Sequence, residues 1–173
     1  PGGAPASREE LHEAWRAMTD THQFHGVLKR LNLKRFDAIE MAHEDFAWPL
    51  ELDGTARMLN SAAVSDLPIM AFVGNAGCIQ IHTGAIKNVA ALGPWINIMD
   101  ETFHLHLRVD QIAALWAVRK PTKDGHVTSI EAYDANRSLI IQFFGERQEG
   151  VDERVGWRAL VEDLDRARRS DAA

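Results

Sequence analysis

The sequence predicts an α+β domain: one large antiparallel, meander-like β-sheet with helices packed beside its N-terminal and C-terminal ends. Three observations carry this. Eight apolar or alternating segments follow one another between residues 69 and 144, with turn residues and no helical stretch between them, and such spacing favours antiparallel pairing. Helical patterns are confined to the stretch before residue 66 and to the last twenty or so residues. The chain has 173 residues, 46% of them apolar and 25% charged, which suits one domain with a core of its own.

In chain order, Pro1-Gly2-Gly3-Ala4-Pro5-Ala6 reads as a linker, so residues 1–7 are set apart from a single domain over 8–168 and a frayed tail over 169–173. Ser7 and Glu10 have capping-box spacing and open a helix to about Met18. Thr19-Asp20-Thr21 offers a second cap, for a helix to about Leu31 that Asn32 stops. Lys34 to Ala42 reads as a third short helix. Ala47 to Leu52 alternates as a strand whose Pro49 demands an edge position. Gly54 to Ser65 has helical spacing through Met58, Leu59, Ala62 and Ala63. Strands are then expected at Ile69–Val73, Cys78–His82, Ala85–Ala91, Trp95–Met99, Phe103–Arg108, Ala113–Arg119, Val127–Tyr133 and Leu139–Phe144. Trp157, Leu160, Val161 and Leu164 form the apolar stripe of a final helix.

Composition excludes some functions. A net charge of -6 argues against nucleic acid and against anionic membrane surfaces as partners. No apolar run approaches the roughly 20 residues that span a bilayer, and no signal peptide is visible. The lone Cys78 cannot form an intrachain disulfide; it reads as a buried thiol of a reduced, cytoplasmic protein. Nucleotide loops, Gly-x-Ser-x-Gly and His-Glu-x-x-His are all missing.

Three constellations carry chemistry. On a helical wheel, Phe24, Val27, Leu28 and Leu31 share one face, while His22, His25 and Lys29 lie nearly opposite. These histidines therefore face solvent or a cleft, either as a solvated surface pair or as an iron ligand with a spare. His104, His106 and Arg108 fall on one face of a strand, as open-face polar residues or as a His-x-His metal pair. Arg119, Lys120, Gln142 and Arg147 cluster near strand ends, either as solvated edges or as an anion-binding group.

Several stretches together resemble the HemS-type hemin-transport and hemin-degrading proteins of bacteria: Thr21-His22-Gln23-Phe24-His25, Gly77 to Gly84, Leu92 to Asp100, Phe103 to Arg108, Val118 to Ser129 and Phe144-Gly145-Glu146-Arg147. The resemblance runs from about Arg8 to Leu160 and corresponds to the C-terminal half of a two-repeat architecture; the linker-like start falls where the halves join. It implies heme b as ligand, His22 as axial iron ligand and His25 as its alternative. Pocket positions fall on Arg35, Phe72, Lys120, Gln142 and Arg147, the three cations facing the propionates and Phe72 the porphyrin. At His104 the family usually carries Asn. Its N-terminal half supplies an arginine on the far side of the iron, a group expected from that half or from a second copy. Three functions compete: a cytoplasmic carrier in heme uptake and iron acquisition that delivers heme to a downstream heme oxygenase, an enzyme that opens the porphyrin with O2 and reductant, and a half-domain that binds no heme and acts as scaffold. The catalytic residues of the second are not assigned.

Overall fold

The computed structural model of the chain describes residues 4–169. Most of the expected linker is described; its residues 1–3 and tail residues 170–173 lie outside the described part. The element order is α1 (Arg8–Arg16), α2 (Gln23–Arg30), α3 (Arg35–Met41), β1 (Ala47–Leu50), α4 (Gly54–Val64), β2 (Ile69–Asn75), β3 (Cys78–Gly84), β4 (Val89–Leu92), β5 (Trp95–Met99), β6 (His104–Arg108), β7 (Ala114–Thr122), β8 (Gly125–Tyr133), β9 (Leu139–Gly145) and α5 (Val155–Glu162).

The N-terminal helices begin and end for local reasons. In the capping box of α1, the Glu10 amide donates to Ser7 Oγ at 3.3 Å and the Ser7 amide to Glu10 Oε2 at 2.7 Å. Helix α2 starts later than the sequence predicts. Asp20 spends its carboxylate on His22, while the Gln23 side-chain oxygen takes the Thr19 and Asp20 amides, so His22 becomes the N-cap position. The helix stops as expected at Asn32, which has φ +52°. Its amide donates to Lys29 O and that of Leu33 to Leu28 O, the paired bonds of a Schellman ending.

The large antiparallel sheet has six strands in the order β1-β7-β8-β9-β2-β3. It is not a pure meander, because β2 pairs with β9. The proline-bearing β1 holds one edge, as Pro49 requires, and β3 the other. The sequence predicts one sheet; β4, β5 and β6 instead form a separate three-stranded sheet. Its inner residues Ile96, Ile98 and Leu107 join the core that α4, α5 and the large sheet share. Asp100 fixes its position by accepting the Lys87 and Asn88 amides at 3.0 and 2.8 Å.

The large sheet separates two cores. On one face Leu115, Ala117, Ile130, Ala132, Ile141 and Phe143 pack against Met58, Leu59, Trp157 and Val161 of α4 and α5. The Trp157 indole donates to Thr128 O at 2.8 Å. Gly145 leaves room for that ring, since a Cβ there would lie 2.5 Å from Trp157 Cγ. On the other face α1, α2 and α3 bury Leu11, Trp15, Phe24, Val27, Phe36 and Ile39 against Trp116, Val118 and Tyr133. Each such side chain contributes about 1.5–3 kcal/mol on leaving water. Cys78 is exposed rather than buried, because it starts β3 at the tip of the β2–β3 hairpin. Arg169 is bonded rather than frayed: its guanidinium donates to the Ala42 and Ala47 carbonyls at 2.9 and 2.7 Å. No helix among the described residues is long and apolar enough to cross a membrane.

Candidate functional site

Helix α2 turns the predicted faces inward and outward. Phe24, Val27 and Leu28 are buried, while His22, His25 and Lys29 are exposed. His22 is the better prepared histidine. Its ring Nδ1–H donates to Asp20 Oδ1 at 2.8 Å, and the same oxygen accepts the His22 amide at 2.8 Å. A carboxylate only accepts, so Nδ1 carries the proton and the Nε2 lone pair is left free. The side chain is 94% exposed. The His22 amide and ring together hold the Asp20 carboxyl below the usual carboxylate range, and Arg147 adds to the effect. Arg147, just past β9, is thereby placed near the α1–α2 turn. Thr19 O accepts the Lys123 amide at 2.9 Å, which ties this turn to the β7–β8 hairpin.

Arg35, Lys120 and Gln142 come together around a residue the sequence analysis missed, Glu131. Its carboxylate is fully buried and accepts from the Arg35 guanidinium, from Gln142 Nε2 at 2.6 Å and from the Tyr133 hydroxyl at 3.2 Å. Arg35 Nε donates to the Tyr133 oxygen at 3.1 Å. Burial alone would raise the Glu131 pKa; Arg35 and Lys120 outweigh it and hold it low. Burial raises the Tyr133 phenol, and the nearby Glu131 charge raises it further. Burial would lower the Arg35 guanidinium, but Glu131 and Tyr133 reverse this. The Lys120 ammonium is pushed down to about 8: burial exceeds the attraction of Glu131, and Arg35 repels. Lys120 Nζ and Arg35 Cζ also stand 4.6 and 5.4 Å from the centroid of the Phe24 ring. Phe24 therefore connects the histidine-bearing helix to this buried charge cluster. A Glu within the Val127–Tyr133 strand, with Lys120 on one neighbouring strand and Gln142 on the other, was the available signal.

Phe72 lies in register with Gln142, and the row continues Trp116, Glu131, Gln142, Phe72, Ile81 across five strands. The α1–α3 core covers the β7–β8 part of this face. Toward β3 the same face stays open. Phe72 and Phe144 are half-buried with ring centroids 5.0 Å apart, and Ile79 and Ile81 are 60% and 51% exposed. The structure thus gives an apolar half-face, a charge cluster at its buried border and a helix end bearing His22. His25 lies one turn along the same face of α2 with an exposed side chain. Among the described residues, no three His, Cys, Asp or Glu side chains come together as a metal site.

Comparison with known proteins gives a consistent result. Residues 32–164 match the family described as the haemin-degrading HemS.ChuX domain. The chain is 43% identical over 159 residues to the hemin transport protein HemS of Yersinia enterocolitica, covering 92% of this chain and 46% of that protein. The crystal structure of holo-PhuS, a heme-binding protein from Pseudomonas aeruginosa, superimposes with a TM-score of 0.91 at 44% identity, over 96% of this chain and 51% of that one. That of ChuS, described as an E. coli heme oxygenase, gives 0.89 at 41% identity, over 95% and 50%. The chain spans about half the length of these relatives.

Proposed function

The chain belongs to the haemin-degrading HemS/ChuX domain family, and on that premise we propose that it carries heme b in the bacterial cytoplasm toward a downstream heme oxygenase, with His22 as axial iron ligand. The observation that carries this reading is the His22–Asp20 pair. An imidazole whose second nitrogen donates to a carboxylate is fixed in tautomer and orientation and is a more basic ligand, and His22 presents its free Nε2 at an exposed helix end. His25, on the same face, is the alternative ligand and gives the cargo a second foothold during transfer.

The rest of the site fits a porphyrin. Phe72, with Phe144 and Ile81 beside it, offers apolar surface to the macrocycle. Lys120 and Arg35 stand at the polar border of that surface with Gln142, and Arg147 at the turn near His22. Carboxylates from the ligand would meet Lys120 as a partly satisfied ammonium, whereas Arg35 is already engaged by Glu131. When bound, the iron supplies oxygen and redox chemistry of its own. The far side of the iron is left to the N-terminal half found in the relatives or to a second copy. Arg35 is bonded to Glu131 and Lys120 is buried, so neither is free to act on a ligand held at His22, which supports the carrier reading over the heme-degrading one.

Heme titration into the wild type, His22→Ala and His22→Ala/His25→Ala tests the reading. The single variant should shift the Soret band and weaken binding, and the double variant should lose most of the affinity; an unchanged Soret band and affinity in both refutes it. A wild type that gives no Soret change would instead support the scaffold. Incubation with reductant under air, with catalase present, separates carrier from enzyme: persistence of the Soret band supports the carrier.

A further inference from the structure

The three-stranded sheet turns Ile96, Ile98 and Leu107 to the core and its other face to solvent. On that outer face the ladder places Met99 opposite His104, Asn97 opposite His106 and Trp95 opposite Arg108. His104, His106 and Met99 are exposed. His106 is held in place: its Nδ1 lies 2.7 Å from Asn97 Oδ1. Asn97 is itself nearly buried and donates through Nδ2 to Ala90 O at 3.3 Å. That second bond fixes which way the amide points, so its oxygen faces the imidazole, His106 Nδ1 carries the proton, and Nε2 is left as a lone pair. A ligand histidine supported from behind by a buried acceptor is the arrangement metal sites use.

We propose that this face binds a copper ion through His106, His104 and the Met99 thioether, with water completing the coordination. The two ring centroids are 6.5 Å apart. A metal about 2.0–2.1 Å from each Nε2 lies about 3.2 Å from each centroid, so a ligand angle near 90–109° needs centroids about 4.5–5.2 Å apart. His106 is anchored, so the closure of roughly 1–2 Å falls to His104, whose exposed side chain turns between rotamers at little cost. The neighbouring cation does not oppose it. Arg108 is neutralised by Asp110, with bonds of 2.8 and 2.6 Å, and packs over Trp95 at 5.3 Å. Two imidazoles and a thioether without a carboxylate exclude magnesium and calcium. They are too few for structural zinc and suit copper, which also heads the affinity order for nitrogen ligands. The site lies on a different sheet from His22 and stands independently of the heme reading.

The test is copper(II) chloride titrated into the 15N-labelled protein at pH 7.4 in a non-coordinating buffer, followed by paramagnetic line broadening. At one equivalent, broadening should centre on Asn97, His104, His106 and the Trp95 indole. His104→Asn and His106→Asn should each weaken copper binding about tenfold or more, while His104→Asn leaves the heme titration unchanged. Under anaerobic ascorbate, Met99→Leu should weaken copper(I) binding. Broadening centred on His22 and His25, no localised broadening at one equivalent, or wild-type copper affinity in both histidine variants overturns the proposal. Unchanged copper(I) affinity in Met99→Leu overturns the assignment of the thioether.

Discussion

Replacing Lys120 by Met should make the protein more stable and a weaker heme binder at the same time. The Lys120 ammonium is buried, and its pKa falls from the ordinary 10.5 to about 8 because burial exceeds the attraction of Glu131. At about 1.4 kcal/mol per tenfold, that fall corresponds to a cost of about 3 kcal/mol for keeping the charge inside. An unfolded lysine holds its proton up to its ordinary pKa. Between about pH 8 and 10.5 the unfolded chain therefore binds more protons than the folded one, and stability rises with pH across that window. Below about pH 8 the cost is present in full. Met keeps the length of the side chain against Phe24 and removes the charge; Glu131 retains Arg35, Tyr133 and Gln142. Allowing about 1 kcal/mol for the lost cation–π contact, Lys120→Met should gain about 2 kcal/mol at pH 7. Urea denaturation followed by tryptophan fluorescence at pH 7.0 and 9.5 measures both effects. The wild type should gain about 2 kcal/mol between the two pH values and the variant almost none; the raised phenol of Tyr133 works in the opposite sense only from about pH 10 upward. A wild type whose stability is flat or falls over that interval, or a variant less stable than wild type at pH 7, would refute the reasoning. An anion near the ammonium relieves its cost, so the same variant should bind heme about tenfold more weakly, the stability–function exchange expected of a binding site.

Glu131→Gln should lower the urea stability by about 3–5 kcal/mol, because it leaves Arg35 and Lys120 buried without their counter-charge; in the Lys120→Met background the loss should be smaller, which a double-mutant cycle reads directly. Asp20→Asn should weaken heme binding about tenfold with little change in unfolding midpoint, since it removes the carboxylate behind His22 Nδ1 and no core contact. Gly145→Ala should cost about 3 kcal/mol or more in denaturant unfolding, because the new Cβ would meet the buried Trp157 ring at 2.5 Å.

Local signals in the sequence carried furthest. The capping box of Ser7 and Glu10, the stop at Asn32 and the outward face of His22 and His25 depend on neighbours within one or two turns, and each lies where the pattern predicts. The edge position of β1 followed from the N–H that Pro49 lacks. The division into two sheets was not legible, because strand pairing is decided by partners far along the chain: no pattern within Ile69–Asn75 says that β9 will lie beside it. For the site, the resemblance named Arg35, Lys120 and Gln142, but the residue that unites them, Glu131, was read only as part of the Val127–Tyr133 strand. Asp20 was assigned to capping, and its carboxylate is used on His22 instead. Both misses concern a polar side chain whose partner is set by tertiary packing.

The place of β2 between β3 and β9 has a consequence for synthesis on the ribosome. The β2–β3 hairpin is complete by Gly84, but its other neighbour ends at Gly145. At roughly 5–20 residues per second, some 60 residues of translation keep that neighbour out of reach for about 3–12 seconds. During this interval a two-stranded ribbon bearing Phe72, Ile79 and Ile81 must wait with one edge unpaired. Such a nascent chain is a natural client for a holding chaperone, and slowing translation between residues 84 and 145 should raise the yield of aggregate before it changes anything in the finished protein.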